Sequence, residues 1–196
     1  MKKGLITIIA IIVVVIVLFS WVKNAQNAFV KGEEAVESAW AQVENVYQRR
    51  ADLIPNLVAT VKGYAEHESS TLEAVVNARA NATSMKIDAQ DLSEEALAKY
   101  NKAQGELSSA LGRLLMIQEN YPDLKANENF RDLQVQLEGT ENRITVERQK
   151  FNETAKEYNT MIRKFPRNIL ASMFGFEKKP YFAAAEGAQN APVVQF

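Results

Sequence analysis

The sequence lacks cysteine altogether and contains a single histidine, His67, in 196 residues. The absence of cysteine excludes disulfides, thiolate metal sites, a thiol nucleophile and a lipidated cysteine anchor. One histidine cannot form a pair of histidine metal ligands, and any histidine-assisted nucleophile would depend on it alone. The sequence therefore predicts a non-enzymatic protein with no catalytic residue, no metal site and no cofactor.

The sequence also lacks an excess of either charge and is poor in turn residues. Its 23 basic and 24 acidic side chains give a net charge of −1, which argues against nucleic acid as a partner. Eight glycines and five prolines are few for this length, and neither a convincing strand nor a glycine-rich phosphate loop is present. These observations predict a single all-α domain built from long helices.

One uncharged segment, Leu5 to Val22, dominates the hydrophobicity. As a helix it would be about 27 Å long, close to the thickness of the hydrocarbon core of a bilayer. It continues into Trp21 and Lys23 without the small-residue cleavage site of a secretory signal, so residues 1–22 predict an uncleaved transmembrane anchor. The residues assigned to this membrane anchor are Lys2, Lys3, Leu5, Trp21 and Val22.

The orientation of this anchor is less strongly encoded. Lys2 and Lys3 precede the apolar segment, and Lys23 and Lys31 follow it within the range that the positive-inside rule counts. The numbers are equal, but the first two lysines are packed into a three-residue tail. We therefore expect a cytoplasmic N-terminus and an extracytoplasmic remainder.

Apolar residues behind the anchor fall on heptad spacing, which is typical of packed helices. Pro55 interrupts the first stripe, so one helix either kinks there or ends, and we place a boundary at that point. The stripe consists of Phe29, Val36, Trp40, Val43, Tyr47, Arg50, Ile54, Leu57, Val61 and Tyr64. We predict a bundle over residues 23–176, with helices at about 24–54, 55–85, 92–120, 126–165 and 167–174, and an extended tail at 177–196.

The last long helix presents an unbroken stripe of alternating threes and fours from Phe130 to Phe165. Glu147 falls within this stripe, and Arg50 is the basic residue of the first one. Because an unpaired charge inside a bundle is costly, we consider an Arg50–Glu147 pair, with Glu147 at a solvated edge as the alternative. Gly105 and Gly112 lie seven residues apart in one predicted helix. Either they allow a neighbouring helix to approach closely, or they only weaken the helix that contains them.

A family resemblance rests on several motifs. The first run, Phe29-Val30-Lys31-x-Glu33-Glu34-Ala35-Val36-x-x-Ala39-Trp40-x-Gln42-Val43-Glu44, leads into Tyr47-Gln48-Arg49-Arg50-Ala51-Asp52-Leu53-Ile54-Pro55-Asn56-Leu57-Val58. Further matches are Val61 to Ala65, Ala78-Arg79-Ala80, Tyr121 to Ala126, Leu137-Glu138, Glu141 to Ile144 and Phe165-Pro166. With these residues the chain resembles the LemA family over nearly its whole length after the anchor.

The resemblance implies a bacterial, membrane-anchored antiparallel bundle usually described as four helices, without an agreed biochemical activity. A magnetosome-membrane member of the family points to roles in membrane organisation. We accordingly expect an elongated three- to four-helix bundle with coiled-coil-like packing, held by one pass in the cytoplasmic (inner) membrane. The expected function is that of a scaffold or assembly module at the cell envelope, with the lipid bilayer and further copies of itself as partners.

The alternative function is an accessory or regulatory subunit of an envelope protease or another membrane complex. Val194 and Phe196 give the chain an apolar-x-apolar end of the kind that PDZ-like domains bind by strand addition. Docking of this tail on the protein's own bundle is the competing interpretation. The candidate interaction residues are Arg49, Arg50, Asp52, Pro55, Glu147, Val194 and Phe196.

Overall fold

The computed structural model describes residues 2–183, and for Lys2, Lys3 and Gln90 it describes the backbone alone. Every regular element within residues 2–183 is helical, which confirms the all-α prediction. The α-helices are α1 (Lys2–Lys62), α2 (Ser69–Ser84), α3 (Glu94–Met116), α4 (Pro122–Ala126), α5 (Glu128–Arg163) and α6 (Arg167–Phe174). Short 3-10 turns at Ala89–Asp91 and Ile117–Asn120 precede and follow α3.

Helix α1 joins the apolar segment to the bundle without a break. Its first part is long and apolar enough to cross a membrane, with a mean hydropathy of 3.2, and none of that stretch is buried by the rest of the chain. Burial begins at Ala25, after which every stripe residue as far as Val61 contacts the core. An apolar helix with no protein around it requires another apolar surrounding, as a lipid bilayer provides.

Pro55 does not divide the helix as predicted, because α1 continues through it to Lys62. Proline has no N–H to donate to the carbonyl four residues earlier, so the Ala51 carbonyl lacks its normal helical partner. The Arg79 side chain on α2 supplies the missing donor, with Nε 2.8 Å from the Ala51 oxygen. The predicted boundary at 54–55 is therefore wrong, since a tertiary hydrogen bond replaces the local one and the chain turns only after Lys62.

This replacement predicts a coupling between Arg79 and Pro55. Arg79→Ala should lower the free energy of unfolding by about 1–2 kcal/mol, because it leaves a half-buried carbonyl without a donor. In a Pro55→Ala background the backbone N–H returns, and the same Arg79→Ala change should cost clearly less. A double-mutant cycle measured by urea unfolding of the full chain in mild detergent tests this; purely additive effects would contradict it.

Four long helices alternate in direction. Helix α1 leads away from the apolar segment, α2 returns beside it, α3 again runs parallel to α1, and α5 runs back along the length of α1. Trp40 meets Phe151 with ring centroids 5.8 Å apart, which fixes the antiparallel register of α1 and α5. The four-helix part is confined to the distal end, because α2 and α3 reach back only to about the level of Trp40, whose indole donates to the Ile87 carbonyl.

Between Trp40 and the membrane segment, α1 and α5 are covered instead by the C-terminal part of the chain. Helix α6 packs on both α1 and α5, and Gly175 ends it with a φ of 77°, in the left-handed region that glycine adopts without strain. Phe176 then contacts Phe29 at 5.2 Å between ring centroids. The segment predicted as an extended tail from residue 177 is extended, and it packs on the bundle as far as residue 183.

The predicted stripes form the core with few exceptions. Nine of the ten residues of the first stripe are buried, and Tyr64 alone is exposed, because it follows the end of α1. In α5 the apolar stripe residues from Phe130 to Tyr158 are buried, whereas Phe165 is 82% exposed at the turn into α6. Helix α3 begins at Glu94 rather than at residue 92, because the Ser93 side chain caps it by accepting from the Ala96 amide at 3.1 Å.

The glycines of α3 do not serve close packing. A Cβ added at Gly105 or Gly112 would meet nothing within 4 Å. The interpretation of these glycines as sites of close helix packing is therefore wrong. The glycine that does admit a neighbour is Gly32 in α1, where an added Cβ would lie 3.0 Å from Tyr158 Cδ2 and 2.5 Å from Met161 Cε.

We expect Gly105→Ala and Gly112→Ala each to raise the free energy of unfolding by about 0.5–1 kcal/mol, the helix-propensity difference between glycine and alanine. Gly32→Ala should lack this gain, because the buried Tyr158 ring must shift to admit the methyl group. Urea unfolding of the three variants compares them directly. Equal stabilisation at all three positions would show that the Gly32 contact is easily relieved.

Candidate functional site

The strongest concentration of polar interactions lies around Arg50, whose side chain is 2% exposed. Its Nη1 donates to Ser108 Oγ at 2.7 Å and to Glu141 Oε2 at 2.8 Å. Its Nη2 donates to Gln104 twice, to the side-chain oxygen at 2.7 Å and to the carbonyl at 3.2 Å. One residue of α1 therefore binds both α3 and α5, which is how a rigid guanidinium fork can fix the relative position of three helices.

The two charges of this cluster differ in environment. Arg50 is enclosed, with its guanidinium 5.1 Å from the Tyr47 ring centroid and its Nε without a hydrogen-bond partner, whereas Glu141 is 54% exposed. A buried cation thus has a countercharge that reaches it from the solvent side. This arrangement neutralises Arg50 but leaves no free donor pair to bind a substrate anion, so its chemistry is structural.

The predicted Arg50–Glu147 pair is wrong. Glu147 Oε1 lies 2.8 Å from Lys150 Nζ on its own helix. In the register set by Trp40 and Phe151, ten residues further along α1 correspond to ten residues back along α5, which brings Glu141 opposite Arg50. Stripe membership identified Arg50, but Glu141 lies outside the α5 stripe. Its selection over Glu147 depends on the spatial register of α5 against α1.

The other motif residues on α1 lie outside the core. Arg49, Asp52 and Pro55 are exposed, and Asp52 accepts a hydrogen bond from Gln48 at 2.7 Å. The anchor residues are placed along the unburied start of α1, with Leu5 61% exposed, Trp21 38% exposed and Val22 half-buried against the core. Val194 and Phe196 lie outside the described residues.

The buried titratable neighbours of Arg50 are two tyrosines. Burial raises the pKa of Tyr47 and of Tyr100, whose rings lie 5.4 Å apart, so both phenols stay protonated. On α1 beside these tyrosines, burial and then the Asp88 charge raise the pKa of Glu44. Over residues 2–183, no group of three or more acidic, histidine or cysteine side chains is arranged so that it could hold a metal ion.

A second polar feature, which the sequence analysis missed, binds the C-terminal segment to α5. Asn159 donates to the Lys179 carbonyl at 2.8 Å and accepts from the Lys179 amide at 2.9 Å. Asn152, seven residues earlier, does the same at Phe182, with distances of 3.1 and 2.8 Å. Each amide side chain thereby pairs with an extended backbone as a neighbouring strand would, and we call this pair of asparagines the clasp.

The clasp sets Phe182 into an aromatic cluster. The Phe182 ring stacks on Trp40 at 6.0 Å and meets Phe151 edge-on at 5.5 Å, while the Arg148 guanidinium lies 4.6 Å from its centroid. Lys179 adds an ion pair to Glu33 at 2.8 Å. The sequence signal for this feature is the Asn152–Asn159 spacing of one heptad, each directly after a buried aromatic residue.

Sequence comparisons place the chain among known proteins. Among curated proteins, the chain is 29% identical to magnetosome protein MamQ of Magnetospirillum gryphiswaldense, over 80% of this chain and 64% of the relative, somewhat less than two thirds of its length. It is 28% identical to MamQ 1 of Paramagnetospirillum magneticum over 86% of this chain and 68% of that protein. It is 21% identical to protein LemA of Metamycoplasma hominis over 82% and 70%. Residues 39–196 match the LemA family, and the chain belongs to that family.

Proposed function

We propose that this protein is a non-catalytic scaffold that holds a rigid helical bundle on the surface of a membrane. The observation that carries the proposal is the continuity of α1, in which the apolar segment and one wall of the bundle are a single helix from Lys2 to Lys62. Because no flexible linker separates them, the direction of the bundle follows that of the membrane segment. The part of α1 beyond Val22 extends about 60 Å, a suitable length for a spacer or docking platform.

The buried polar network around Arg50 supports a structural role. The buried guanidinium of Arg50 is already bound by Ser108, Gln104 and Glu141, so its groups hold helices together and are not free for a ligand. The name of the MamQ relatives, magnetosome protein, associates those proteins with an assembled cellular structure. For this chain we propose a comparable organising role at the bacterial inner membrane, with the N-terminus in the cytoplasm and the bundle outside it.

Self-association is the second part of the proposal, and it is supported by the membrane segment rather than by the bundle. The heptad stripes are used within one chain, so they do not supply spare seams for a second copy. Confinement to a membrane still raises the local concentration of copies, and the unburied apolar part of α1 offers a face for helix pairing within lipid.

Mild-detergent purification with mass measurement and identification of bound proteins tests the function. A discrete homo-oligomer supports the scaffold, whereas a strict monomer over a range of concentrations would refute self-association. Stoichiometric recovery of a different protein would favour the accessory-subunit alternative. Protease accessibility of the bundle in spheroplasts, compared with lysed cells, tests the orientation. Protection in intact spheroplasts would mean that the bundle lies in the cytoplasm.

A further inference from the structure

An unpartnered apolar stripe lies at the membrane end of the bundle. Phe165, Ile169 and Met173 follow one another at four-residue spacing through the turn into α6, and they are 82%, 53% and 72% exposed. Large apolar side chains in a row on the surface normally mark an interaction site. The opposite side of α6 is accounted for, because Leu170 and Ala171 are buried against α1 and α5.

The position of this stripe points to the bilayer. Val22, the last residue of the apolar segment, packs against the same core that contains Leu170 and Ala171. In the register set by Trp40 and Phe151, the turn at Phe165 lies level with residue 26 of α1, about 8 Å along the helix axis from Trp21. The stripe therefore begins within one or two helical turns of the membrane boundary that Trp21 and Lys23 mark.

The charges around the stripe match an anionic lipid surface. Arg163, Lys164, Arg167 and Lys178 flank it along the chain, and Glu177 is the single acidic residue between positions 163 and 178. An amphipathic helix with apolar side chains on one side and cations beside them rests in the headgroup region, with the apolar side chains about 5–10 Å deep and the cations near lipid phosphates.

We propose that α6 is an interfacial helix and that the stripe, formed by Phe165 in the preceding turn and by Ile169 and Met173 on α6, inserts into the headgroup region of an anionic bilayer. Together with the spanning part of α1 it forms a second contact with the same leaflet, so the bundle is fixed in tilt and rotation. This inference rests on the membrane anchoring in the proposed function. The experiment below separates failure of the anchor from failure of the second contact.

The test uses single cysteines, which are unique labelling sites because the chain has none of its own. Met173→Cys reports on the stripe and Phe19→Cys on the spanning segment. Met116→Cys is the matched control, since Met116 is a 65% exposed methionine at the distal end of the bundle. Each full-length variant is labelled with an environment-sensitive fluorophore and reconstituted into phosphatidylcholine–phosphatidylglycerol vesicles with lipids brominated at shallow or deep positions.

We expect strong quenching of the Met173→Cys label by shallow bromines, quenching of the Phe19→Cys label by shallow bromines as well, because Phe19 lies only two residues inside Trp21, and little quenching at Met116→Cys. If Phe19→Cys is quenched but Met173→Cys behaves like Met116→Cys, the second contact does not exist. A blue-shifted Met173→Cys label without lipid quenching would place protein over the stripe and also overturn the proposal. Loss of quenching at Phe19→Cys would refute the anchor itself.

The cations provide an independent arm. Arg163→Gln, Lys164→Gln and Arg167→Gln combined should reduce quenching at Met173→Cys several-fold, and the reduction should resemble that in vesicles of phosphatidylcholine alone. Quenching that is unchanged by both the triple substitution and the lipid composition would overturn the role assigned to anionic headgroups.

Discussion

Arg50→Met should destabilise the bundle by about 3 kcal/mol, which corresponds to a fall of about 6–12 °C in the unfolding temperature of a chain of this size. The substitution keeps most of the apolar stem but removes the guanidinium N–H groups that donate to Gln104, Ser108 and Glu141. Glu141 is half in solvent and can be hydrated, so most of the cost arises at Gln104, which is buried and loses the partner of its side-chain oxygen.

The adjacent Arg49 provides the matched control. It is exposed on the same turn of α1, and Arg49→Met should change the free energy of unfolding by no more than about 0.5 kcal/mol. Urea unfolding of the full chain in mild detergent, followed by far-ultraviolet circular dichroism, compares the two. Equal effects at Arg49 and Arg50 would mean that the buried network adds nothing to stability.

Two further variants distinguish charge from geometry. Arg50→Lys retains the cation but cannot fork between Ser108 and Gln104, so it should remain destabilising by about 2 kcal/mol. Arg50→Met combined with Gln104→Met removes donor and acceptor together, and the pair should recover at least about 1 kcal/mol relative to the sum of the single changes. Strict additivity would show that the two side chains do not depend on each other.

The contrast between Arg50 and Pro55 shows which parts of the fold were accessible from sequence. Heptad spacing placed Arg50 in the core correctly, because burial follows from helical periodicity alone. The helix break at Pro55 is a local inference, and it fails because Arg79, 28 residues from Ala51 along the chain, supplies a donor to the Ala51 carbonyl. Contacts of this kind depend on the tertiary arrangement, which a one-dimensional pattern does not contain.

The predictions about the candidate sites also divide into those that local patterns support and those that need the tertiary arrangement. The apolar membrane segment and the stripes followed from composition and spacing, whereas the choice of Glu141 over Glu147 required the register of α5 against α1. The clasp was missed because Asn152 and Asn159 sit beside the stripe and their partners are backbone groups. A backbone partner leaves no complementary residue type in the sequence for a pattern search to find.

Asn159→Ala should release the C-terminal segment from α5. The change removes both hydrogen bonds to Lys179, and each buried backbone group left without a partner costs about 1–3 kcal/mol, so the expected loss is about 3 kcal/mol. Release also uncovers Trp40, because Phe182 is no longer held on its ring. Limited proteolysis within residues 176–183 should accelerate, and Trp40 fluorescence, isolated by Trp21→Phe, should shift to the red.

Asn142→Ala is the control, since Asn142 is exposed on the same helix; it should leave both readouts unchanged. Adding Asn152→Ala to Asn159→Ala should cost less than Asn152→Ala alone, because a segment already released at Lys179 no longer holds Phe182 in place for Asn152. Full additivity would instead mean that the two asparagines bind the chain independently. Cooperative release would show that the clasp closes as one unit over the Trp40 end of the α1–α5 pair, where α2 and α3 no longer cover it.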